Sequence, residues 1–258
     1  MPNVTDLISP SFSTEKSSTY RLSIREYPNG FSFCAVDSDD NSCVAIKLTP
    51  TLSHEEPLLA LHFSEVRFVK DAAFSVVPSA FLRGGDSDAE FLPIGRHLKK
   101  RAVLHSALLP DGNAILFDTK KFPGLQMDYI PRHPIQELYQ FGTSLQRSDY
   151  CMAEMNGAQL NIITVTGHKL RLANTFAYET SEDAAYYILS VFQQLALDAE
   201  TVPLHLIADE RAPQCPAGFL SEYIRNVNIV KPGEGWNAAF PADIYHRFAT
   251  QLYSLICA

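Results

Sequence analysis

The residues able to do chemistry in this 258-residue chain are scattered, and the scatter narrows what they can do. The five cysteines, Cys34, Cys43, Cys151, Cys215 and Cys257, are odd in number, and no two stand at CxxC spacing. A zinc cage draws thiolates from such close pairs and a disulfide framework from an even set, so no metal site and no disulfide is expected. Cys34 and Cys151 both fall in segments that alternate like strands. Such a thiol reads first as buried and inert, and second as a nucleophile served by a distant histidine. His97 and His105 could approach across a turn as a metal pair, but ordinary surface or capping histidines are the simpler reading. No GxxxxGK[ST], GxSxG or HExxH occurs. That removes the phosphate loop, nucleophile elbow and zinc-protease helix that those patterns encode.

Two features suggest partners. The run Arg96-His97-Leu98-Lys99-Lys100-Arg101 is the one basic cluster. It reads as a solvated helix end, with an anion-binding patch second. The loop from Gly233 to Ala239 holds the single tryptophan, Trp236, beside glycines and ahead of Pro241. Trp236 is a candidate partner anchor, against packing onto the last helix. Gly233-Glu234-Gly235 alone is a loop signal. Tyr186, Tyr187 and Phe192 share a helical segment, where aromatics are mostly core and otherwise an interface.

These residues must be positioned by a folded body. Hydrophobic residues make up 46% and charged ones 19%, which is enough apolar surface for a real core. The net charge of −8 disfavours nucleic acid and anionic membranes. No run approaches the roughly 20 apolar residues of a spanning helix, and no signal pattern opens the chain. A cytoplasmic protein is expected.

Residues 1–18 read as a mobile N-terminal arm. Residues 19–132 form the first subdomain, opening with strands at Tyr20 to Ile24, Phe31 to Ala35 and Cys43 to Leu48. Asn29-Gly30 supplies the first hairpin. Helices are expected at Thr51 to His62 and Phe91 to Lys100. A connecting helix occupies 133–148. The second subdomain, 149–258, opens alike: Tyr150 to Met155, a turn at Asn156-Gly157, then two further strands. A capped helix follows from about Glu182 to Leu197. Helices at Ala217 to Arg225 and after Pro241 complete it. Gly30 and Gly157 lie 127 residues apart, suggesting two like α/β halves with mixed sheets.

The twice-repeated β-β-β-α-β-α-β order resembles the superfamily of actin, sugar kinases and the large heat-shock chaperones. Its two ribonuclease-H-like subdomains face each other across a nucleotide cleft. Tyr20-Arg21-Leu22-Ser23-Ile24-Arg25 with Gly30-Phe31-Ser32-Phe33, Phe74 to Pro78, and Leu170 to Tyr178 with Glu182 to Tyr187 resemble the bacterial domain-of-unknown-function family 3822. The superfamily resemblance implies that each first hairpin would hold phosphate through an Asp-x-Gly pattern. Here the triplets are Pro28-Asn29-Gly30 and Met155-Asn156-Gly157, without that carboxylate. Glu26 and Glu154 stand nearby but out of step. The adenosine-side glycine pair is replaced by Ile207-Ala208-Asp209-Glu210. The expectation is a protein that is not an enzyme, takes no cofactor, and serves as a protein-interaction scaffold, with a homodimer possible. The alternative is a nucleotide or small-anion binder whose cleft uses Arg25, Asn29, Gly30, Asn156 and Gly157.

Overall fold

The computed structural model describes residues 5–28, 30–53, 55–93, 102–209, 214–233, 235–237 and 239–257. Its described strands, in chain order, are β1 (Thr5–Ile8), β2 (Tyr20–Tyr27), β3 (Gly30–Asp37), β4 (Cys43–Thr49), β5 (Glu65–Val69), β6 (Phe74–Pro78), β7 (Leu104–Leu108), β8 (Asn113–Asp118), β9 (Ile130–Arg132), β10 (Tyr150–Asn156), β11 (Gln159–Thr166), β12 (Lys169–Ala177), β13 (Leu204–Ile207) and β14 (Val227–Ile229). They form two mixed sheets, β1-β4-β3-β2-β5-β9 and β12-β11-β10-β13-β14, plus a small sheet β6-β8-β7. In each mixed sheet the first three strands of the half form an antiparallel meander, and two later strands add in parallel. This is an α/β protein.

The two meanders also agree in detail. Arg25 pairs with Ser32, and Glu154 with Asn161. Register slips between Ala35 and Val36 in one sheet and between Thr164 and Val165 in the other. Each of these pairs of positions is separated by the 129 residues that separate Arg25 from Glu154. The offset of 127 read from the glycines is corrected by the turns. Gly30 lies after its turn, paired with Tyr27, whereas Gly157 lies inside its turn, between the paired Asn156 and Gln159. Gly30 is needed for close approach: a Cβ there would sit 2.2 Å from the Thr49 carbonyl oxygen.

The helices are α1 (Pro134–Ser144), α2 (Ser181–Gln194), α3 (Ala217–Leu220) and α4 (Ala249–Ile256). Pro134 opens α1, where a missing N–H costs nothing. His133 caps it, its Nδ1 accepting from the Ile135 N–H at 3.2 Å. A reciprocal capping box between Thr180 and Asp183 starts α2. The central layer is a helix pair between the two mixed sheets. α1 packs on β10 and β11, α4 on β2 and β3, and the two helices on each other. Phe141 and Tyr253 stack between them at 4.0 Å. The outer face of the second sheet is covered by α2 and α3 through Ala184, Ile188, Val191 and Leu220. The outer face of the first is covered by irregular chain, with Leu58, Phe63, Leu125 and Met127.

Several expectations change. Of the expected mobile arm, Thr5–Ile8 pairs along β4, with Lys47 Nζ 3.2 Å from Asp6 Oδ2, because that pairing satisfies an otherwise open sheet edge. The expected helix at 51–62 shrinks to a 3-10 turn at Pro57–Ala60. Pro57 has no N–H for a helix interior, and Ser53 Oγ instead accepts the Glu55 N–H. The helix expected at 91–100 falls largely outside the described residues; Gly85–Phe91 just before it is 3-10. α3 stops at Leu220, and Ser221 Oγ bonds back to the Ala217 carbonyl. Beyond Pro241 a 3-10 turn, Ala242–Arg247, precedes α4. That last helix lies on the first sheet, so the tail of the expected second subdomain, 149–258, crosses to the other half.

Candidate functional site

The two first hairpins meet tip to tip. A Cβ on Gly157 would lie 3.9 Å from Pro28 Cγ. Between them opens a cleft of about 780 Å³, lined by the ends of β2, β4 and β10, by both turns, and by His246 and Arg247. Gly30, Asn156 and Gly157, expected there, line it. Asn29 lies outside the described residues.

Arg25 does not serve the cleft as a free cation. It is 1% exposed, Glu154 is 3% exposed, and their side chains form a two-pronged ion pair between the halves. Nη1 donates to Oε1 and Nη2 to Oε2, both at 2.6 Å. Such a fork-to-fork pair is the strongest geometry available to these groups. Glu154 also accepts from Asn161 Nδ2 at 3.0 Å and from Thr250 Oγ1. The Arg25 guanidinium sits 5.1 Å from the Tyr27 ring centroid, a cation–π contact. Burial by itself would discharge both groups. Proximity reverses this, holding the Glu154 carboxyl below its ordinary range and the Arg25 guanidinium above its own.

α4 is the wedge that completes this floor. Thr250 reaches Glu154, Gln251 Nε2 donates to Ser23 at 3.1 Å, and the Ser254 carbonyl accepts from Arg67 at 2.8 Å. Ser254 Oγ donates to the fully buried Glu137, which also accepts from Arg132 Nε at 2.6 Å. Beside the pair, burial pushes the Asp71 carboxyl up, although Arg25 opposes this. His133 is driven down to about 3 by burial, against its hydrogen bond to the Ala72 carbonyl, with Arg25 adding to the shift.

The fold resembled at sequence level implies magnesium and a nucleotide in this cleft, and the residues present do not fit them. A magnesium site needs carboxylate or similar oxygen ligands. Among the described lining residues Glu154 is the one carboxylate, and its oxygens are committed to Arg25, Asn161 and Thr250. No group of three or more His, Cys, Asp or Glu able to hold a metal occurs among the described residues.

The other expected site residues lie elsewhere. Arg96, Lys99, Lys100 and Arg101, with His97, fall outside the described residues. Trp236 is corrected from exposed anchor to core: it is 8% exposed and meets Tyr245 edge-on at 5.0 Å, with Phe240 and Phe248 around it. Its loop is clamped because Gly235 packs directly under α4. A Cβ there would lie 2.0 Å from Ile256 Cδ1. Asn237 Nδ2 also donates to the Cys43 carbonyl at 2.6 Å. Cys34 and Cys151 are fully buried; contact with the Cys43 thiol, and then burial, raises the Cys34 thiol, while burial raises Cys151 to about 12. His105 packs against Phe117 with the rings tilted and their centroids 5.2 Å apart. Phe192 is core, while Tyr186 is 67% exposed. The partners that sequence reasoning missed are Glu154 for Arg25 and the buried polar row of α4. Aligning the hairpins by strand register, not by glycine, would have put Arg25 and Glu154 at equivalent positions.

A family model described as "Protein of unknown function (DUF3822)" matches residues 9–121 and 134–227. No curated protein matches. Among solved structures, the chain is similar to a Bacteroides thetaiotaomicron protein with actin-like ATPase fold and unknown function. That match has TM-score 0.68 and 21% identity, covering 93% of this chain and 98% of that one. The PilM–PilN type IV pilus biogenesis complex matches at TM-score 0.60 and 13% identity, over 92% and 96%. The ethanolamine utilization protein EutJ from Carboxydothermus hydrogenoformans matches at 0.51 and 8%, over 98% and 93%. Among the described residues, no helix is long and apolar enough to cross a membrane.

Proposed function

The chain belongs to the DUF3822 family and has an actin-like ATPase fold, and from that premise we propose that it is a non-catalytic protein-interaction scaffold. The reading takes the two mixed sheets as duplicated ribonuclease-H-like subdomains. Their shared strand order, common 129-residue register and matching bulges support this.

One observation carries the loss of catalysis. Where an ATPase of this fold needs an acid free to order metal and water, the cleft floor holds Glu154 bound bidentately to Arg25. With the guanidinium, Asn161 and Thr250 together filling the four lone-pair sites of this carboxylate, none is left for magnesium. Support for a scaffold comes from exposed aromatic side chains on the second half, Tyr186 on α2 and the neighbouring Phe219 and Tyr223. The same fold occurs in the PilM–PilN complex, which is an assembly of two proteins.

The test is hydrolysis of ATP with magnesium by the purified chain. Turnover is expected to equal buffer background. Magnesium-dependent turnover that Asn156→Ala abolishes would end the proposal. A second reading, a metal-free anion binder, is favoured by one specific feature: the buried Asn156 amide lining the cleft has no partner for its Nδ2.

A further inference from the structure

We propose that the cleft between the hairpins is a metal-free binding site for a carboxylate carried between apolar groups, gripped by Asn156 and Arg247. This rests on the reading of the cleft as unable to hold metal and triphosphate.

Asn156 lies two residues beyond Glu154 on β10. Strand alternation therefore turns its side chain to the same face, toward the first half. It is 7% exposed and lines the cleft, yet Nδ2 meets no acceptor. A buried amide donor left unpaired is costly in an empty protein and is relieved when a ligand supplies an oxygen. Tyr27, at the matching position of the first hairpin, shows the contrast. Its hydroxyl is satisfied, donating to the Arg247 carbonyl at 2.7 Å. That bond seats Arg247 at the cleft wall.

The charge of the wall selects the ligand. Arg25 and Glu154 cancel one another. Burial lowers the His246 pKa, with Asp209 and Asp243 opposing and Arg247 reinforcing the shift, so it stays neutral near pH 7. Arg247 is exposed and has no ion-pair partner among the described residues. The described lining thus offers one cation, one amide donor and one neutral imidazole, in a chain whose net charge is −8. One cation with one neutral donor matches the two oxygens and single charge of a carboxylate. It falls well short of a triphosphate, which calls for several cations or a metal. Pro28, Phe31, Leu48, Pro50 and Met155 give the wall its apolar part, beside the Thr49 hydroxyl, which donates to the Thr51 carbonyl at 3.0 Å. At about 780 Å³ the cleft is of the size that takes small molecules or short peptide segments. An aromatic acid and an acidic residue flanked by apolar residues in a partner's chain present the same chemistry.

Two sets of probes separate those sources. The first is 3-phenylpropionate with its amide, 3-phenylpropanamide. The second is a pool of capped pentapeptides with a central aspartate between apolar residues, with the matching asparagine pool. Binding is read by amide chemical shifts of Asn156 and Gly157 in the full chain, with and without magnesium. The carboxylate member of at least one set is expected to bind at least tenfold more tightly than its amide. Arg247→Gln and Asn156→Leu should each remove most of that preference. Arg247 is on the surface, so its variant reports even if the Asn156 variant does not fold. The set showing the preference names the source. Equal binding of acid and amide, a preference that survives Arg247→Gln, or no shift with either set overturns the inference. Magnesium-dependent ATP turnover overturns instead the metal-free reading beneath it.

Discussion

The two halves of the molecule share a strand order and a register but differ in what they place at equivalent positions and in how they are covered. At the matched hairpin position one half has Arg25 and the other Glu154, and these join across the middle. If both positions held an acid, two buried carboxylates would face each other and one would have to take up a proton. Opposite charges turn the same pair of positions into a clasp. The covers differ as well. The second half is roofed by α2 with its own capping box, the first by irregular chain around Leu58 and Phe63. One half carries local helical stability on its outer face, whereas the other relies on tertiary contacts.

The largest effect should come from breaking the clasp. Glu154→Ala leaves Arg25 buried without its counter-charge and is expected to cost about 3–5 kcal/mol in urea unfolding. The double variant Arg25→Met, Glu154→Leu should recover most of this loss, since an apolar pair of similar size leaves no bare charge. If the double variant is as unstable as the single, the pair is needed for more than mutual neutralisation, and the clasp picture fails.

Acid should loosen the central layer next. The His133 pKa is about 3 in the folded chain, against an ordinary 6.5 when unfolded. Below pH 6.5 the unfolded chain takes up a proton that the folded chain refuses. Stability present above 6.5 is therefore lost as pH falls toward 3, at up to about 1.4 kcal/mol per pH unit. His133→Asn keeps a capping acceptor but cannot titrate. It should lessen the slope of stability against pH between 6.5 and 5, above the range where Glu154 contributes, by one proton's share, while His205, His246 and His105, whose pKa values burial also lowers, keep the remainder. An unchanged slope would place the acid sensitivity elsewhere.

The smallest effect belongs to the cover of the second half. Thr180→Ala removes the hydroxyl that accepts the Asp183 N–H at 3.1 Å and should cost about 1 kcal/mol. Amide exchange should quicken in the first turn of α2 while β2 and β3 stay protected. Quickening spread evenly over both halves would show that the two covers are not independent.

Local patterns carried the α/β class, both meanders, the long helix α2 and the place of the hairpins. Alternation at Tyr20 to Ile24 and the cap at Thr180 act through neighbours in sequence, so they were legible there. Short-range signals misjudged the 51–62 helix, where Pro57 outweighed three leucines, and aligned the halves on glycines that occupy different turn positions. Arg25, Glu154, Thr250 and Asn161 give no such signal, because they are spread across the chain and each is ordinary in its own segment. Whether Arg25 is a ligand-binding cation or half of a clasp depends on what is opposite it, 129 residues away. The same holds for Trp236, which a glycine loop makes look exposed until Phe240, Tyr245 and Phe248 close around it. Backbone preference and hydrophobic period are written locally. Burial and charge pairing are properties of the assembled interior, and there the tertiary structure alone decided.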